Sequence, residues 1–384
     1  GYFDPLDCDL GAPWEGLKPE SLVQVSDAPW RTNGDTVERI EAVAADVVSG
    51  EADCPGPQSR AVLDWVETEL APALDRSGGA ETAAVLAALD GCFVSPGPSG
   101  APTRGRPDVL PTGRNFYTVD VRAVPTAAAW ALGRAAADAL ALRYFQDEGM
   151  WPRSIALSAW STSNMRTGGD DVAQVLALIG AEPQWEAGTG RVTGFRVIPL
   201  AELGRPRIDV TLKISGMFRD AFPGQIDLID SAVRAIAALD EDREANPIAA
   251  AARETADRLT GIGWQPERAE RVAAARIFGA KPGAFGAGMQ ALIDEGIWDS
   301  RADFAEAFLA WGAFSYGGGS HGEEDRALFA ERLKAADAVL HNQDNREHDI
   351  LDSDDYYQFQ GGLAAAVETL KGAAPRVYHG DHSR

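Results

Sequence analysis

The sequence has little cysteine, and it has no histidine before residue 321. The three cysteines, Cys8, Cys54 and Cys92, are odd in number and lack a Cys-x-x-Cys spacing. They therefore indicate neither a disulfide framework nor a zinc knuckle, and a reducing compartment, the cytoplasm, is expected. No run of the sequence reaches the roughly 18 consecutive apolar residues of a membrane-spanning helix.

Lysine is also scarce, with five lysines against thirty arginines, and no Gly-Lys dipeptide occurs. A Walker A loop needs that dipeptide because its lysine reaches the phosphates, so no ATP site is expected on this chain. Arginine forks are then the natural holders of anionic ligand groups. The candidates, each in a glycine-containing loop, are Arg104, Arg106, Arg114 and Arg166. The alternative is that each is a solvated surface charge.

The net charge of −23 and the pI of about 4.6 argue against binding to nucleic acid or to anionic membranes. A cationic protein surface is the partner that this charge favours. A chain of 384 residues with 45% hydrophobic content is larger than one core usually holds. We therefore expect two or three subdomains.

The residue patterns predict an α/β fold, with a parallel or mixed sheet, flanking helices, and helical subdomains at both ends. Residues 1–92 are predicted as a helical N-terminal subdomain. Residues 93–245 are predicted as a long Pro/Gly-rich loop followed by the sheet domain. Residues 246–384 are predicted as a mostly helical subdomain with a His/Asp-rich end.

The stretch STSNMRTGGDD, 161–171, follows a predicted strand at 154–160 and precedes a predicted helix. Its backbone N–H groups and hydroxyls are expected to face a ligand at the sheet edge, with an anion or carboxylate as the natural guest. An equally good interpretation is that Asp170 or Asp171 only caps the following helix.

The stretch NQDNREHDILDSDDYYQFQGG, 342–362, concentrates carboxylates, a histidine and two tyrosines. If one helix runs from Glu323 to about Leu351, Asp344, His348 and Asp352 share a face, and mixed imidazole and carboxylate groups suit a divalent metal or proton transfer. The alternative is a helix start, with Ser353 or Asp352 as the cap and the aromatic residues in the core. His321, in SYGGGSHGEE, is equally open between ligand and surface residue.

Several long runs carry a specific resemblance: LPTGRNFYTVD, SNMRTGGDD, ELGRPRIDVTLKISGMFRDAFPGQIDLID, GAKPGAFGAG and NQDNREHDILDSDDYYQFQGG. They closely resemble the large-subunit family of aerobic cobaltochelatases, to which the large subunit of magnesium chelatase is related. The DSDDYYQF block makes the cobalt branch the nearer one. The family's large subunit is much longer, so we expect the sequence to correspond to its C-terminal portion, a fragment of a longer protein.

This resemblance implies a ligase that inserts Co²⁺ into hydrogenobyrinic acid a,c-diamide, with ATP hydrolysed by a separate AAA+ motor subunit that works with an integrin-I-like subunit. It implies that the macrocycle is held by Arg114, Asn115, Arg166, Thr167, Asp170 and Tyr356. The implied catalytic residues are His348, Asp352 and Asp354, and the implied metal ligands are His348, Asp344 and His321. The alternatives are a noncatalytic module that binds the tetrapyrrole or partners, and insertion of magnesium or nickel.

Overall fold

The computed structural model describes residues 12–100, 102, 107–117, 119–345 and 353–382, which divide into two compact units at about residue 117. Among these residues, none of the helices combines the length and apolarity needed to cross a bilayer. The first unit contains helices α1 (Glu20–Val23), α2 (Asn33–Ser49), α3 (Pro57–Trp65) and α4 (Ala71–Leu89), a π-helical stretch (Val66–Leu70) and strands β1 (Pro96–Pro98) and β2 (Asn115–Tyr117).

Local signals explain the helices of the first unit. Helix α2 begins with a capping box in which Thr32 and Asp35 bond each other's backbone N–H groups, and it ends at Gly50 with a φ of 79°. Helix α3 begins at Pro57, whose fixed φ suits the first helical turn. The helical spacing of apolar residues over 35–50 and 57–74 predicts helices there, and the structure confirms both.

The long Pro/Gly-rich loop, 93–117, is fastened to α4. The Thr112 N–H donates to Ser77 Oγ at 3.2 Å, and the Thr112 hydroxyl donates to Glu81 Oε1 at 2.5 Å. A Cβ at Gly113 would lie 2.4 Å from the Ala80 carbonyl carbon, so only glycine permits this approach. Short strands β1 and β2 also pair in parallel within this loop.

The second unit is built on a seven-stranded sheet in the order β11-β10-β3-β6-β7-β8-β9. The strands β11, β10, β3, β6 and β7 are parallel, and β8 and β9 run antiparallel at the other edge. Their bounds are β3 (Ser154–Ala159), β6 (Asp209–Ile214), β7 (Ile277–Gly279), β8 (Phe314–Gly317), β9 (Ser320–Glu324), β10 (Ala338–Gln343) and β11 (Arg376–Asp381). A separate antiparallel hairpin consists of β4 (Ala181–Trp185) and β5 (Val192–Val197).

The helices of the second unit cover both faces of the sheet. They are α5 (Ala127–Glu148), α6 (Ser161–Thr167), α7 (Asp170–Ile179), α8 (Leu200–Leu203), α9 (Gly216–Ala221), α10 (Pro223–Ala237), α11 (Pro247–Gly261), α12 (Pro266–Ala273), α13 (Gln290–Asp294), α14 (Arg301–Gly312), α15 (Arg326–Ala335), α16 (Asp354–Tyr356), a π-helical stretch (Tyr357–Gly361) and α17 (Gly362–Lys371). The predicted α/β class, with a mixed sheet and flanking helices, is confirmed.

Each face of the sheet packs on its own core. Side chains such as Leu157 and Leu212 face α5, α7 and α10. Side chains such as Ala156 and Val339 face α14, α15 and α17. This alternation is what a strand buried on both faces requires.

The predicted unbroken helix from Glu323 to about Leu351 is wrong. Helix α15 ends at Ala335, and Ala338–Gln343 forms strand β10 between β3 and β11. The Asp337 carboxylate accepts the backbone N–H groups of Arg153 at 2.8 Å and Ser154 at 3.1 Å, which ties this bend to the start of β3. Tertiary strand pairing outweighs the helical periodicity of this Ala-rich stretch.

Three further predictions can be compared with the structure. The apolar patterns of 154–160 and 207–215 predict strands, which are confirmed as β3 and β6. The pattern of 192–200 also predicts a strand, which is confirmed as β5, but it belongs to the hairpin and not to the sheet. Residues 246–384, predicted as mostly helical, contribute strands β7 to β11 besides their helices; the three-segment division stays a prediction.

Candidate functional site

The carboxyl ends of β3, β10 and β11 meet at one edge of the parallel sheet, where ligands bind in open α/β folds. Trp160 and helix α6 follow β3, Asp344 follows β10, and His382 follows β11. The sequence predicts a glycine-bearing turn over STSNMRTGGDD, 161–171. This prediction is wrong, since residues 161–167 form α6 and only Gly168 and Gly169 adopt positive φ before α7.

Arg166 and Asp344 form a two-pronged ion pair at this edge. Arg166 Nε donates to Asp344 Oδ2 at 2.7 Å and Nη2 donates to Oδ1 at 3.0 Å. The Asp344 side chain is 4% exposed and the Arg166 side chain is 30% exposed. The pair thus places a partly accessible guanidinium beside the strand ends, with its buried carboxylate as an anchor.

Thr167 and Asp170 lie where α6 meets α7. The Thr167 hydroxyl accepts the Asp170 N–H at 3.1 Å and donates to the Ser163 carbonyl at 3.0 Å. Neither Asp170 nor Asp171 makes a side-chain cap bond, so the capping alternative does not hold. Asp170 is buried, with Oδ2 at 3.4 Å from His382 Nδ1.

Asp171 is the centre of a buried amide network. Its carboxylate accepts from Asn164 Nδ2 and Asn342 Nδ2, both at 2.8 Å, and Asn342 Nδ2 also donates to Gln174 Oε1 at 2.6 Å. Burial raises the pKa of Asp171 to about 6, although both amide bonds oppose this shift. The network links α6, α7 and β10 behind the strand ends.

An aromatic and imidazole cluster lies beside the Arg166–Asp344 pair. The His341 ring centroid is 4.7 Å from Trp160, 5.1 Å from Tyr356 and 5.9 Å from His379. Burial lowers the pKa of His341 to about 3, so this imidazole is neutral at neutral pH. Neither ring nitrogen of His341 has a hydrogen-bond partner among the described residues.

His321 lies far from this cluster. It is in β9, an edge strand of the sheet, whereas Asp344 follows β10. Five strand spacings of about 4.8 Å separate β9 from β10, so His321 and Asp344 cannot ligate one ion. Over the described part of the chain, no group of three or more His, Cys, Asp or Glu side chains is placed to hold a metal ion.

Two of the three predicted catalytic residues are not among the residues that the structure describes. His348 and Asp352 lie outside the described residues, and Asp354 is the first residue of α16. The shared helix face predicted for 344, 348 and 352 rested on the helix from 323 to 351, which does not exist as such. Tyr356 is buried within the cluster, with its ring 5.4 Å from that of Trp160.

Arg114 and Asn115 belong to the first unit. They line a groove of about 1070 Å³ together with apolar side chains of α4 and of the long loop, such as Val85, Phe93 and Phe116. Arg114 lies across Gly97, where a Cβ would come within 2.3 Å of its Cδ. The groove therefore combines an arginine with apolar walls, at a volume near the upper end of small-molecule sites.

The sequence did not identify His341, His379 or Trp160 as site residues. His341 was placed on a helix, so its position on a central strand was missed. The sequence signal for a strand here is the short apolar run Ala338–Leu340, which directly follows Asp337. The position of His379 and His382 near the terminus predicts that both are exposed; this is confirmed for His379 and wrong for His382, which is buried. Nothing local shows that β11 pairs with β10 and so brings His379 beside His341.

The sequence profile of the CobN/Magnesium Chelatase family matches residues 8–384. The chain belongs to this family. It is 60% identical to the aerobic cobaltochelatase subunit CobN of a Sinorhizobium species and 54% identical to that of Pseudomonas aeruginosa, over the whole chain in both cases. It is 36% identical, over 78% of its length and 21% of the relative's, to the chloroplastic magnesium-chelatase subunit ChlH of Oryza sativa subsp. indica.

A solved structure of this family, the catalytic subunit of cobaltochelatase from Mycobacterium tuberculosis, is 45% identical to the chain and superposes with a TM-score of 0.80. The match covers 92% of this chain and 29% of that one. The chain also covers 30% and 31% of the two CobN subunits. The chain therefore spans about a third of the length of these relatives.

Two runs that resemble the CobN/magnesium chelatase family have an architectural role in the structure. In GRPRIDV, Arg205 and Arg207 are buried and donate to the last carbonyls of α7, including those of Leu178 and Gly180. In SGMFRD, Arg219 donates to three carbonyls of the glycine-rich loop, those of Ala280, Lys281 and Ala284. These arginines satisfy orphan backbone groups and are not free to hold a ligand.

Proposed function

We propose that this chain is the tetrapyrrole-facing C-terminal part of a cobaltochelatase large subunit. The reaction is the insertion of Co²⁺ into hydrogenobyrinic acid a,c-diamide in cobalamin biosynthesis, catalysed by a ligase that forms nitrogen–metal bonds. The observation that carries the proposal is the strand-end site, where the Arg166–Asp344 pair lies beside the Trp160–His341–Tyr356 cluster. The higher identity to the CobN subunits than to the magnesium-chelatase subunit supports cobalt as the substrate ion.

Metal insertion places three demands on a protein. The hydrated ion must lose water, the ring N–H group must lose its proton, and the macrocycle must be held while its lone pairs turn toward the ion. Carboxylates and imidazoles meet the first two demands. In this proposal His348, Asp352 and Asp354 handle the metal or protons, with Asp344 as a further metal ligand.

Arginines and strand-end groups meet the third demand. A macrocycle with several carboxylate side chains is matched by guanidinium forks, which bind carboxylates through two parallel bonds. Arg166 offers the rest of its guanidinium at the strand ends, because Nε and Nη2 already bond Asp344, and in this proposal Thr167, Asp170 and Tyr356 complete the binding surface. Arg114 and Asn115 offer a second surface in the groove of the first unit.

We also propose that ATP is hydrolysed on an AAA+ motor subunit that acts with an integrin-I-like subunit. The absence of a Gly-Lys dipeptide supports a nucleotide site elsewhere, and the net charge of −23 suits a basic partner surface. A cytoplasmic location fits the free thiols of Cys54 and Cys92.

A noncatalytic role is the second candidate. It is favoured by the coverage, since the chain spans about a third of its relatives and the chemistry could reside in the rest. Such a module would bind the tetrapyrrole or dock partners without inserting metal. Magnesium or nickel insertion is the remaining alternative within the first class.

Titration of hydrogenobyrinic acid a,c-diamide into this chain, followed by absorbance, tests the proposal directly. We expect saturable binding that is weakened by Arg166→Gln and unchanged by the matched surface substitution Arg143→Gln. Binding without cobalt insertion by the complete subunit, partners and ATP would favour the noncatalytic module. A competition of Co²⁺, Mg²⁺ and Ni²⁺ for insertion by the complete subunit identifies the metal. If neither this chain nor the complete subunit binds the tetrapyrrole, the proposal is contradicted.

A further inference from the structure

A row of polar side chains crosses four neighbouring strands just inside their carboxyl ends. His379 of β11 is in register with His341 of β10, His341 with Ser158 of β3, and Ser158 with Lys213 of β6. Neighbouring strands lie about 4.8 Å apart, and residues in register on parallel strands point to the same face. We call these four residues the polar row.

The polar row faces the core formed by α14, α15 and α17. Ala156 and Val339, which precede Ser158 and His341 by two residues, belong to that core. The Lys213 Nζ atom lies 5.5 Å from the centroid of the Phe308 ring, which is part of the same core.

Three members of the polar row are almost fully buried, whereas the fourth is accessible. His341 is 2% exposed and Ser158 and Lys213 are each 1% exposed, while His379 is exposed on the edge strand β11. The His379 Nε2 atom is 2.8 Å from Gln343 Oε1. The row therefore runs from the interior of the sheet to its surface.

The buried members of the polar row lack hydrogen-bond partners among the described residues. Ser158 Oγ and both ring nitrogens of His341 have none. Lys213 Nζ is a partial exception, because among the described residues it makes one long bond, of 3.4 Å, to the Ile214 carbonyl. A buried polar group that is left unpaired destabilises the folded state, because it has lost its bonds to water. Protein interiors rarely tolerate this, and polar atoms grouped in one place are commonly bridged by water.

We propose that the polar row holds a file of water molecules and carries protons between the interior of the sheet and the surface at His379. The inference rests on the proposed function for the source of the protons. When Co²⁺ enters the macrocycle, which is a corrin, the single ring N–H bond breaks and four Co–N bonds form. One proton is thus released for each ion inserted, and it passes along the row to bulk water.

The chemistry of the four side chains suits this role. A neutral imidazole accepts a proton at one nitrogen while it releases one from the other, and a hydroxyl does the same through its single oxygen. Burial keeps the pKa of His341 at about 3, so its resting form is neutral. Burial also lowers the pKa of Lys213 to about 7, so its amine exchanges a proton readily at neutral pH.

The chain offers a matched pair of substitutions on one strand. Ser158 and Ser154 lie on the same face of β3, and both hydroxyls are buried and have no partner among the described residues. Ser158 is in the polar row at the carboxyl end, whereas Ser154 is at the amino end. Ser158→Ala and Ser154→Ala therefore remove the same atom, with the same small change in volume, inside and outside the row.

Single-turnover cobalt insertion by the complete large subunit, with both partner subunits and ATP, tests the role. We expect Ser158→Ala to slow insertion about tenfold and to enlarge the solvent deuterium isotope effect, with tetrapyrrole affinity unchanged. Ser154→Ala should leave both quantities unchanged. His379→Gln, a surface change with little risk to folding, should also slow insertion, and added imidazole should restore its rate.

Wild-type rates for both Ser158→Ala and His379→Gln would overturn the proton route. If the wild-type subunit binds no tetrapyrrole, the proposed function fails. The presence of water in the polar row is then tested separately, by a high-resolution crystal structure of the complete subunit. Ordered water within hydrogen-bonding distance of Ser158 Oγ and a His341 nitrogen would support the inference. A dry row would overturn it.

Discussion

Arg166 and Asp344 lie 178 positions apart in the chain and form a two-pronged ion pair. Arg166 is in the last turn of α6, which follows β3, and Asp344 directly follows β10. Because β3 and β10 are adjacent parallel strands, their carboxyl ends bring the two side chains together. The pair depends on this strand adjacency and on no local sequence signal.

Arg166→Gln is expected to lower the free energy of unfolding by about 2 kcal/mol. The substitution removes the two bonds between the Arg166 guanidinium and the buried Asp344 carboxylate, and the partial exposure of Arg166 keeps the loss below that of a fully buried pair. Urea denaturation measures the change. The matched control is Arg143→Gln, because the Arg143–Asp147 pair lies on the exposed surface of α5; equal midpoints for the two variants would contradict the prediction.

Arg114→Ala is expected to weaken binding of the tetrapyrrole about tenfold, which corresponds to about 1.4 kcal/mol. Arg114 lines the groove of the first unit, and in the proposed function its guanidinium binds a carboxylate of the macrocycle. Titration by absorbance measures the affinity, and Arg76→Ala on α4, outside the groove lining, serves as the control. Equal losses in both variants would show a nonspecific charge effect instead of a ligand contact.

How far the sequence predicts the site can be judged from Arg166 and His341. The scarcity of lysine places Arg166 among four candidate arginines, because that reasoning concerns composition and needs no fold. His341 was missed, because KAADAVLH satisfies helical and strand periodicity alike, and only pairing with β3 and β11 decides between them. Long-range pairing is the information that a single sequence lacks.

The sequence predicts individual helices and strands better than it predicts which strands are neighbours in the sheet. Helix α5 and strands β3 and β6 carry strong local signals, such as the Thr126 cap, Gly149 at the helix end and two continuous apolar runs. The hairpin strand β5 has the same local pattern as a sheet strand, so its location could not be predicted. Strand type follows from neighbouring residues, whereas strand order follows from the packing of helices on both faces.

Asp171→Asn is expected to remove a pH dependence of stability in mildly acidic solution. Burial raises the folded-state pKa of Asp171 to about 6, above the ordinary value of 3.8. The folded state then holds the proton more tightly, so this group lowers the free energy of unfolding as pH rises from about 4 to 6, by up to about 3 kcal/mol. Beyond pH 6 its contribution is constant.

Urea denaturation at pH 4.5, 5.5 and 6.5 tests this dependence. The slope between these values should shrink in Asp171→Asn and should keep its wild-type size in Asp257→Asn, which changes an exposed carboxylate of α11. An unchanged slope in Asp171→Asn would mean that the carboxyl group titrates normally despite its burial.

Lys213→Met is expected to raise the free energy of unfolding at pH 7. Lys213 is buried beside Phe308 and Gly312, and burial lowers its folded-state pKa to about 7 from 10.5. The unfolded state therefore binds the proton more tightly, so the wild-type protein gains stability as pH rises from about 7 to 10. Methionine has a similar shape and no charge, so it removes both the cost at pH 7 and this rise.

Denaturant unfolding at pH 7 and pH 9 measures both effects. We expect Lys213→Met to be about 2 kcal/mol more stable than wild type at pH 7 and to show a smaller difference at pH 9. Lys334→Met, on the exposed side of α15, should match wild type at both values. A destabilised Lys213→Met variant would mean that the ammonium group is solvated inside the sheet, where the polar row would then carry a resident charge.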